Sequence, residues 1–260
     1  MATDLPEILG ESLGTEFVTV YVGPKRKGFI LHKNLICTKA DYFSKAFRGG
    51  FLESNGMMDL PDETTATFAL FVEWLYKSNL SEAHTRDHFI ALINVYIFSE
   101  KICLNDFGNR VIDRIREIMD NIDKRMTPAL ACYIYSKTSD SSPLRKLCVH
   151  SLAYALWEGT KRHIPNKEDL YTLSRYFGNH EELFVDFFNY IGYCSAVESM
   201  ANPHLCPLGL EPVRVCGFHR HNVQKGEKCH LDQEEDPFAS VWEIDDLEVF
   251  DDVDPDSMDD

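Results

Sequence analysis

The segment most informative about the fold is residues 17–47, FVTVYVGPKRKGFILHKNLICTKADYFSKAF. Its pattern predicts two short strands followed directly by a helical segment. The run from Phe17 to Val22 is rich in β-branched and aromatic residues and ends at a Gly-Pro pair, which predicts a strand and a turn. The run GFILH at residues 28–32 predicts the second strand of a hairpin. Apolar residues then recur at helical spacing up to Gly49-Gly50, which predicts one continuous helix through Leu35, Ile36, Ala40, Phe43, Ala46 and Phe47.

The residues after this helix predict one more strand and three more helices. MMDLP at residues 57–61 predicts a short strand that ends at Pro61, and DETTATFALFVEWLYKSNL predicts a helix with Asp62 and Glu63 in its first turn. Two further amphipathic helices follow around Phe89 and Phe107. The order of elements predicts an α+β fold in which helices cover a small sheet. We expect its core to include Leu31, Leu35, Phe43, Phe47, Phe71, Leu75 and Tyr96.

About residues 15–120 resemble a BTB (POZ) domain, and most of all those of filamentous-fungal single-BTB proteins. The resemblance rests on His32 at the start of the first helix, on DYFSKAF, on the DLPDE entry to the next helix and on FVEWLY at its end. The family implies a non-enzymatic protein-interaction module that dimerises. Animal transcription-factor members carry an Asp just before the first strand, where this chain has Thr15-Glu16-Phe17. This departure puts dimerisation by strand exchange in question.

Residues 127–190 predict four further helices, two of which open with Thr127-Pro128 and Ser142-Pro143. They resemble the BACK-like helical extension of several BTB proteins. The predicted organisation is a flexible N-terminus (1–14), a BTB/POZ domain (15–122), a helical extension (123–200), a Cys/His segment (201–231) and an acidic disordered tail (232–260).

Charge and motifs narrow the classes of function. Fourteen of the 42 acidic residues lie in residues 232–260, which leaves 28 acidic against 26 basic residues elsewhere. A near-neutral body and an anionic tail argue against direct nucleic-acid binding. The sequence has no GxSxG, HExxH or GxGxxG motif, so we expect no enzyme activity. It has no signal peptide and no apolar run that could span a membrane, which predicts an intracellular protein, cytoplasmic or nuclear.

Two functions follow from the resemblance and the tail. The first is a substrate adaptor that links a client protein to a cullin ubiquitin ligase. The second is a transcription-associated regulator that dimerises through its BTB domain, with the acidic tail as an activation segment. The tail places Trp242, Phe250 and other apolar residues among carboxylates, which suits either a solubilising segment or one that binds a basic, hydrophobic groove.

Several reactive side chains have a structural explanation. His32 is predicted to be a core histidine that donates a hydrogen bond to backbone. Apolar neighbours in helices predict that Cys37, Cys103, Cys132 and Cys148 are buried small hydrophobes. The charges at residues 113–117 predict a solvated helix face.

CGFHRH at residues 216–221 and CH at 229–230 form a Cys/His cluster. PVRVCGFHRH predicts an extended strand, in which His219 and His221 share one face, and a turn near Gly226 returns the chain to Cys229. With Cys216 these residues make a Cys₂His₂ set, the composition of closed structural zinc sites. Their spacing matches no common zinc finger, and His204, Cys206, His230 and Cys194 are competing ligands. A free surface cluster is the alternative, whereas four protein ligands would leave a catalytic metal no open position.

Overall fold

The computed structural model describes residues 13–81, 85–121, 126–162, 167–196, 217–222, 226–227 and 229. The predicted flexible N-terminus at 1–14 and acidic tail at 232–260 lie almost wholly outside these residues, so their predicted disorder stays a prediction. The described residues form a small sheet covered by helices, followed by more helices. This is the predicted α+β class.

Three strands form one mixed sheet in the order β2-β1-β3: β1 (Phe17–Val22), β2 (Lys27–His32) and β3 (Met57–Leu60). β1 and β2 are an antiparallel hairpin, in which Val18 is opposite Leu31. β3 returns parallel to β1, with Val20 opposite Met58. Valines 18, 20 and 22 all point into the core, because alternate residues of a strand face the same side.

Two helices, not the predicted single one, connect β2 to β3. α1 spans Lys33–Lys39 and α2 spans Asp41–Arg48, and Ala40 between them is extended, with φ −140° and ψ 111°. Ala40 is itself buried. The helical spacing of apolar residues in the sequence therefore continues across the position where the helix is interrupted. A short 3₁₀ turn, Leu52–Asn55, then leads into β3.

Three longer helices complete the first half of the fold: α3 (Thr65–Lys77), α4 (Arg86–Lys101) and α5 (Asn105–Asn121). Thr64 caps α3 by accepting a hydrogen bond from the Thr67 amide at 3.0 Å. Asp62 and Glu63 therefore precede the helix, and their predicted place in its first turn was wrong. α4 and α5 approach closely at Gly108, where an added Cβ would lie 2.8 Å from the Ser99 hydroxyl.

An aromatic cluster fills the space between the sheet and these helices. The Phe71 side chain is fully buried and lies 5.5–5.7 Å, between ring centroids, from Phe43, Phe68, Phe98 and Phe107. All seven predicted core residues are buried, the most exposed being Leu35 at 7%. The hydrophobic periodicity thus identified the core correctly.

Four helices follow, as predicted: α6 (Pro128–Tyr135), α7 (Pro143–Arg162), α8 (Lys167–Gly178) and α9 (Glu181–Ala196). Arg145 of α7 is buried and holds three of them together. Its guanidinium donates to the Tyr135 carbonyl at the end of α6 and forms an ion pair with Glu182 of α9. Buried apolar residues of both halves, from Val18 to Phe218, belong to one core in the described part of the chain.

Cys103 corrects the prediction made for the cysteines. Cys37, Cys132 and Cys148 are buried in helices, where burial raises the pKa of each thiol. Cys103 is exposed instead, in the loop after α4, with φ +54°. Its sequence neighbours are apolar, but the helix has ended two residues earlier.

Candidate functional site

A segment near the C-terminus, Gly217–Asn222, lies against α5 and α7; we call it the clasp. The Phe218 ring is buried between the two helices, with the Arg116 guanidinium 5.1 Å from its centroid and the His150 ring edge-on at 5.3 Å. Lys146 of α7 donates to the Gly217 carbonyl at 2.7 Å. The clasp therefore contacts both the first half of the fold and the helices that follow it.

Asn109 of α5 holds the middle of the clasp through two reciprocal hydrogen bonds. Its side-chain amide donates to the Arg220 carbonyl at 2.9 Å, and its carbonyl oxygen accepts from the Arg220 amide at 2.8 Å. The Arg220 guanidinium forms an ion pair with Glu100 and donates to the Ser141 carbonyl. Burial raises the pKa of Glu100, and this is partly offset by a hydrogen bond from Ser142 and by Arg220.

The clasp is not extended as the sequence predicted, and the first half of the predicted strand, residues 212–216, lies outside the described residues. Gly217 and Phe218 form a turn, and residues 219–222 have no regular structure. Their backbone groups pair with side chains such as Asn109 and Glu227 rather than with another strand. The predicted turn near Gly226 is present, with φ +68° at that glycine.

Three of the predicted metal ligands converge beside α5. One ligand atom each of His219, His221 and Cys229 lies within 4.8 Å of the other two, and the group could hold a metal ion. The His219 side chain is fully buried, and Cys229 is 3% exposed. The fourth predicted ligand, Cys216, lies outside the described residues, as do the competing ligands His204, Cys206 and His230. Cys194, the other competitor, is buried in α9 and is not part of the group.

Both ring nitrogens of His219 have partners. Nδ1 lies 3.3 Å from the Cys229 sulfur, and Nε2 lies 2.8 Å from Oδ1 of Asp113 on α5. Nε2 of His221 is buried and has no hydrogen-bond partner among the described residues. The three side chains therefore combine a thiol, an oriented imidazole and an imidazole nitrogen that no described residue pairs with.

Asp113 is the residue of this site that sequence reasoning missed. The charges at residues 113–117 were predicted to form a solvated face, but Arg116 is 6% exposed under Phe218 and Asp113 holds His219. Asp113 and Arg116 are also paired with each other at 3.4 Å. Nothing in the local sequence distinguishes such a pair from an exposed one, because the clasp residue that Asp113 holds, His219, comes 106 positions later.

A second candidate site is the outer face of the sheet, where the apolar side chains of Ile30 and Met57 lie on either side of Thr19. These residues are direct neighbours across the three strands. Ile30 is 71% exposed, Met57 is 50% exposed, and Phe17 at the start of β1 is 56% exposed. Exposed apolar side chains in a contiguous patch are typical of protein-binding surfaces.

His32 has a structural role, although its partner differs from the predicted one. Its Nδ1 lies 2.9 Å from the Tyr76 hydroxyl, and its backbone amide also donates to that hydroxyl at 3.2 Å. The predicted hydrogen bond to backbone is therefore replaced by one to a side chain of α3. This contact joins the β2–α1 corner to the end of α3.

Comparison with known proteins identifies the first half of the fold. Residues 12–106 match the BTB/POZ domain family, and a search of curated proteins found no match. None of the helices in the described ranges is both long and apolar enough to cross a membrane. The matched domain is typically non-catalytic. The chain thus carries a BTB/POZ domain at residues 12–106, and with it a protein–protein interaction module.

Proposed function

We propose that this protein is a non-enzymatic adaptor that binds a scaffold protein through its BTB domain and presents a client on its helical extension, in the manner of substrate adaptors for cullin ubiquitin ligases. The observation that carries this proposal is the continuous core between the two parts. An adaptor must hold two partners at a fixed separation, and a core that both parts share favours one relative placement of them.

Specific polar contacts also cross the junction between the parts. The Tyr133 hydroxyl of α6 donates to the Asn94 side chain of α4 at 2.7 Å. Arg220 joins Glu100 of α4 to Ser141, just before α7. These contacts add to the shared core in favouring one relative placement of the two parts.

Direct binding tests the adaptor role. The purified full chain is mixed with the N-terminal domain of a cullin and analysed by size-exclusion chromatography and calorimetry. We expect a stoichiometric complex with a micromolar or tighter Kd. A pull-down from a filamentous-fungal lysate, read by mass spectrometry, asks the same question without choosing the cullin. No binding at about 100 μM, together with no cullin in the pull-down, would contradict the cullin proposal.

Self-association is the second activity that we propose, through the outer face of the sheet. Glu16, in the stretch Thr15-Glu16-Phe17 that departs from animal transcription-factor members, is exposed and ion-paired with Lys33 at 3.0 Å. The nearby side chains of Ile30 and Met57 are exposed and offer an apolar contact surface.

Size-exclusion chromatography with light scattering, which gives the molar mass of the protein in solution, tests this surface. We expect Ile30→Asp with Met57→Asp to convert dimers to monomers without changing the circular dichroism spectrum. Val185→Asp on α9 is the matched control, because Val185 is 46% exposed and lies away from the sheet. A wild-type chain that stays monomeric at 100 μM, or a double variant that still dimerises, would exclude this interface.

The acidic tail supports the alternative function, a transcription-associated regulator. Residues 232–260 fused to a DNA-binding domain should activate a reporter gene if they form an activation segment. Replacing Trp242 and Phe250 by Ala keeps every carboxylate and should abolish that activation. No activation by either fusion would favour a solubilising tail, and equal activation by both would show that Trp242 and Phe250 are not its anchors.

A metal ion at the Cys/His cluster would be structural in this adaptor. The set predicted from sequence, Cys216, His219, His221 and Cys229, supplies four protein ligands, which leaves no coordination position for a substrate. Its place against α5 suits an ion that fixes the chain end.

A further inference from the structure

We propose that His219, His221 and Cys229 bind one Zn²⁺, that Asp113 orients His219 for this purpose, and that the ion fastens the clasp to α5. The inference deepens the structural role proposed for the cluster and does not depend on cullin binding. It assigns individual atoms to the site and adds a residue, Asp113, from the BTB side of the molecule.

The tautomer of His219 is set by Asp113. A carboxylate only accepts hydrogen bonds, so the 2.8 Å contact places the proton of the neutral imidazole on Nε2. The lone pair of Nδ1 then points toward the Cys229 sulfur. Zinc-binding histidines characteristically donate their second ring N–H to a carboxylate, which fixes the ring and makes the ligating nitrogen more basic.

The distance between the two ligand atoms fits a shared ion. Zn–N bonds of about 2.0–2.1 Å and Zn–S bonds of about 2.3 Å at a tetrahedral angle put N and S roughly 3.5 Å apart. The observed separation of His219 Nδ1 and Cys229 Sγ is 3.3 Å. A thiol hydrogen bond to the imidazole could account for this pair alone, so the third side chain decides between the two explanations.

His221 is the side chain that a hydrogen bond does not explain. Its Nε2 is buried without a hydrogen-bond partner in the described part of the chain. A buried imidazole nitrogen without a partner is costly, and such groups in native proteins usually mark an ion or a water. One ring nitrogen of His221 lies within 4.8 Å of the other two ligand atoms, so a single ion can bind all three.

The donor set selects zinc among the common cations. Calcium and magnesium take oxygen ligands, whereas one sulfur and two imidazole nitrogens suit zinc. Three protein ligands leave one tetrahedral position, for which the sequence predicts Cys216. A second thiolate there would neutralise the charge of the ion.

The ion would close a loop whose two ends are already attached to α5. His219 and His221 flank Arg220, which Asn109 holds, and Cys229 follows the turn at Gly226. Glu227 in that turn accepts hydrogen bonds from the Asn222 amide and from the Asn105 side chain at the start of α5. Metal binding should therefore stabilise the contact between the clasp and α5.

Metal content and cobalt spectroscopy test the proposal on the full-length chain, purified without chelator. We expect about one zinc per chain by elemental analysis and none in Cys229→Ser or His221→Ala. Cobalt-loaded protein should show a thiolate-to-cobalt charge-transfer band and tetrahedral visible bands, both lost in Cys229→Ser. Cys103→Ser is the matched control: it removes an exposed thiol outside the cluster and should change neither measurement.

Asp113→Asn tests the orienting role while it keeps every metal ligand. We expect its zinc affinity, measured by competition with a chromophoric chelator, to fall about 10–100-fold. Unchanged affinity would refute the role of Asp113. Cys216→Ser should also weaken binding, and unchanged affinity would remove Cys216 from the ligand set.

Protein that folds normally by circular dichroism yet holds no zinc, and takes up cobalt without a thiolate band, would overturn the site. Chelation of the wild-type chain should make residues 217–229 sensitive to proteolysis while the rest of the chain stays resistant. Equal resistance with and without chelator would overturn the fastening role. None of these measurements involves cullin binding. A failure of the zinc site can therefore be told apart from a failure of the adaptor function.

Discussion

Phe71 lies at the centre of the aromatic cluster, and its replacement by alanine should be among the most damaging changes in this protein. The side chain is fully buried on α3 and has five aromatic neighbours: Phe43, Phe68, Trp74, Phe98 and Phe107. These rings come from four different helices, α2 to α5. No single helix can therefore shift to fill the space without losing contacts elsewhere.

The magnitude follows from that environment. Replacing a buried Phe by Ala typically costs about 3–5 kcal/mol in the free energy of unfolding. Aromatic pairs add roughly 0.5–1.5 kcal/mol beyond the area they bury, so five neighbouring rings put Phe71 near the upper end of that range. Because small domains have a total stability of about 5–15 kcal/mol, the variant should remain folded only marginally.

Urea denaturation followed by circular dichroism measures this loss. Phe188→Ala on α9 is the matched control, since the same atoms are removed from a ring that is 51% exposed, and we expect it to cost less than about 1.5 kcal/mol. A loss of less than 2 kcal/mol for Phe71→Ala, at an unchanged denaturant slope, would refute the argument, because it would mean that the cluster can repack.

Other changes test the clasp, a buried histidine and the tail. Asn109→Ala removes both hydrogen bonds to Arg220 and should weaken clasp docking by about 2–3 kcal/mol, seen as faster hydrogen exchange at the Arg220 amide; an unchanged rate would contradict this. Burial, and secondarily Lys146, lowers the pKa of His150 to about 3. Between about pH 6.5 and pH 3 the unfolded chain therefore binds a proton at this histidine that the folded chain does not bind. Above about pH 6.5 this histidine is neutral in both states and does not lower the free energy of unfolding. As the pH falls from there toward 3, the free energy of unfolding drops by at most about 1.4 kcal/mol per pH unit. His150→Phe should reduce the difference in stability between pH 7.5 and pH 5, and an equal difference in both proteins would argue against it. Deleting residues 232–260 should leave the melting temperature unchanged, whereas a drop of many degrees would show that Trp242 docks on the body.

The sequence predicted the elements whose pattern is local. Alternation in β1 and helical spacing in α3 to α5 identified both the elements and their buried faces. The break at Ala40 could not be predicted in this way, because a buried alanine continues the apolar spacing while its backbone is extended. Packing of α1 and α2 against different parts of the core decides that break, and packing leaves no local signal.

The site was predictable only in its ligand types. Composition identified His219, His221 and Cys229 as candidates, but the clasp backbone pairs with Asn109 instead of forming a strand. Asp113 was missed for the same reason, since its partner lies 106 positions away along the chain. Long-range pairing of this kind depends on the folded helices and not on the spacing of residues.

The place where the family match ends has a consequence for how this protein is divided. The match stops at residue 106, within the first turn of α5, yet Phe107, Val111, Ile112, Ile115 and Ile118 further along that helix are all fully buried. A fragment cut at the family boundary would lose those side chains and expose the aromatic cluster that they cover. The smallest independently stable piece should therefore run at least to Asn121, so the segment shared with other proteins is shorter than the segment that folds.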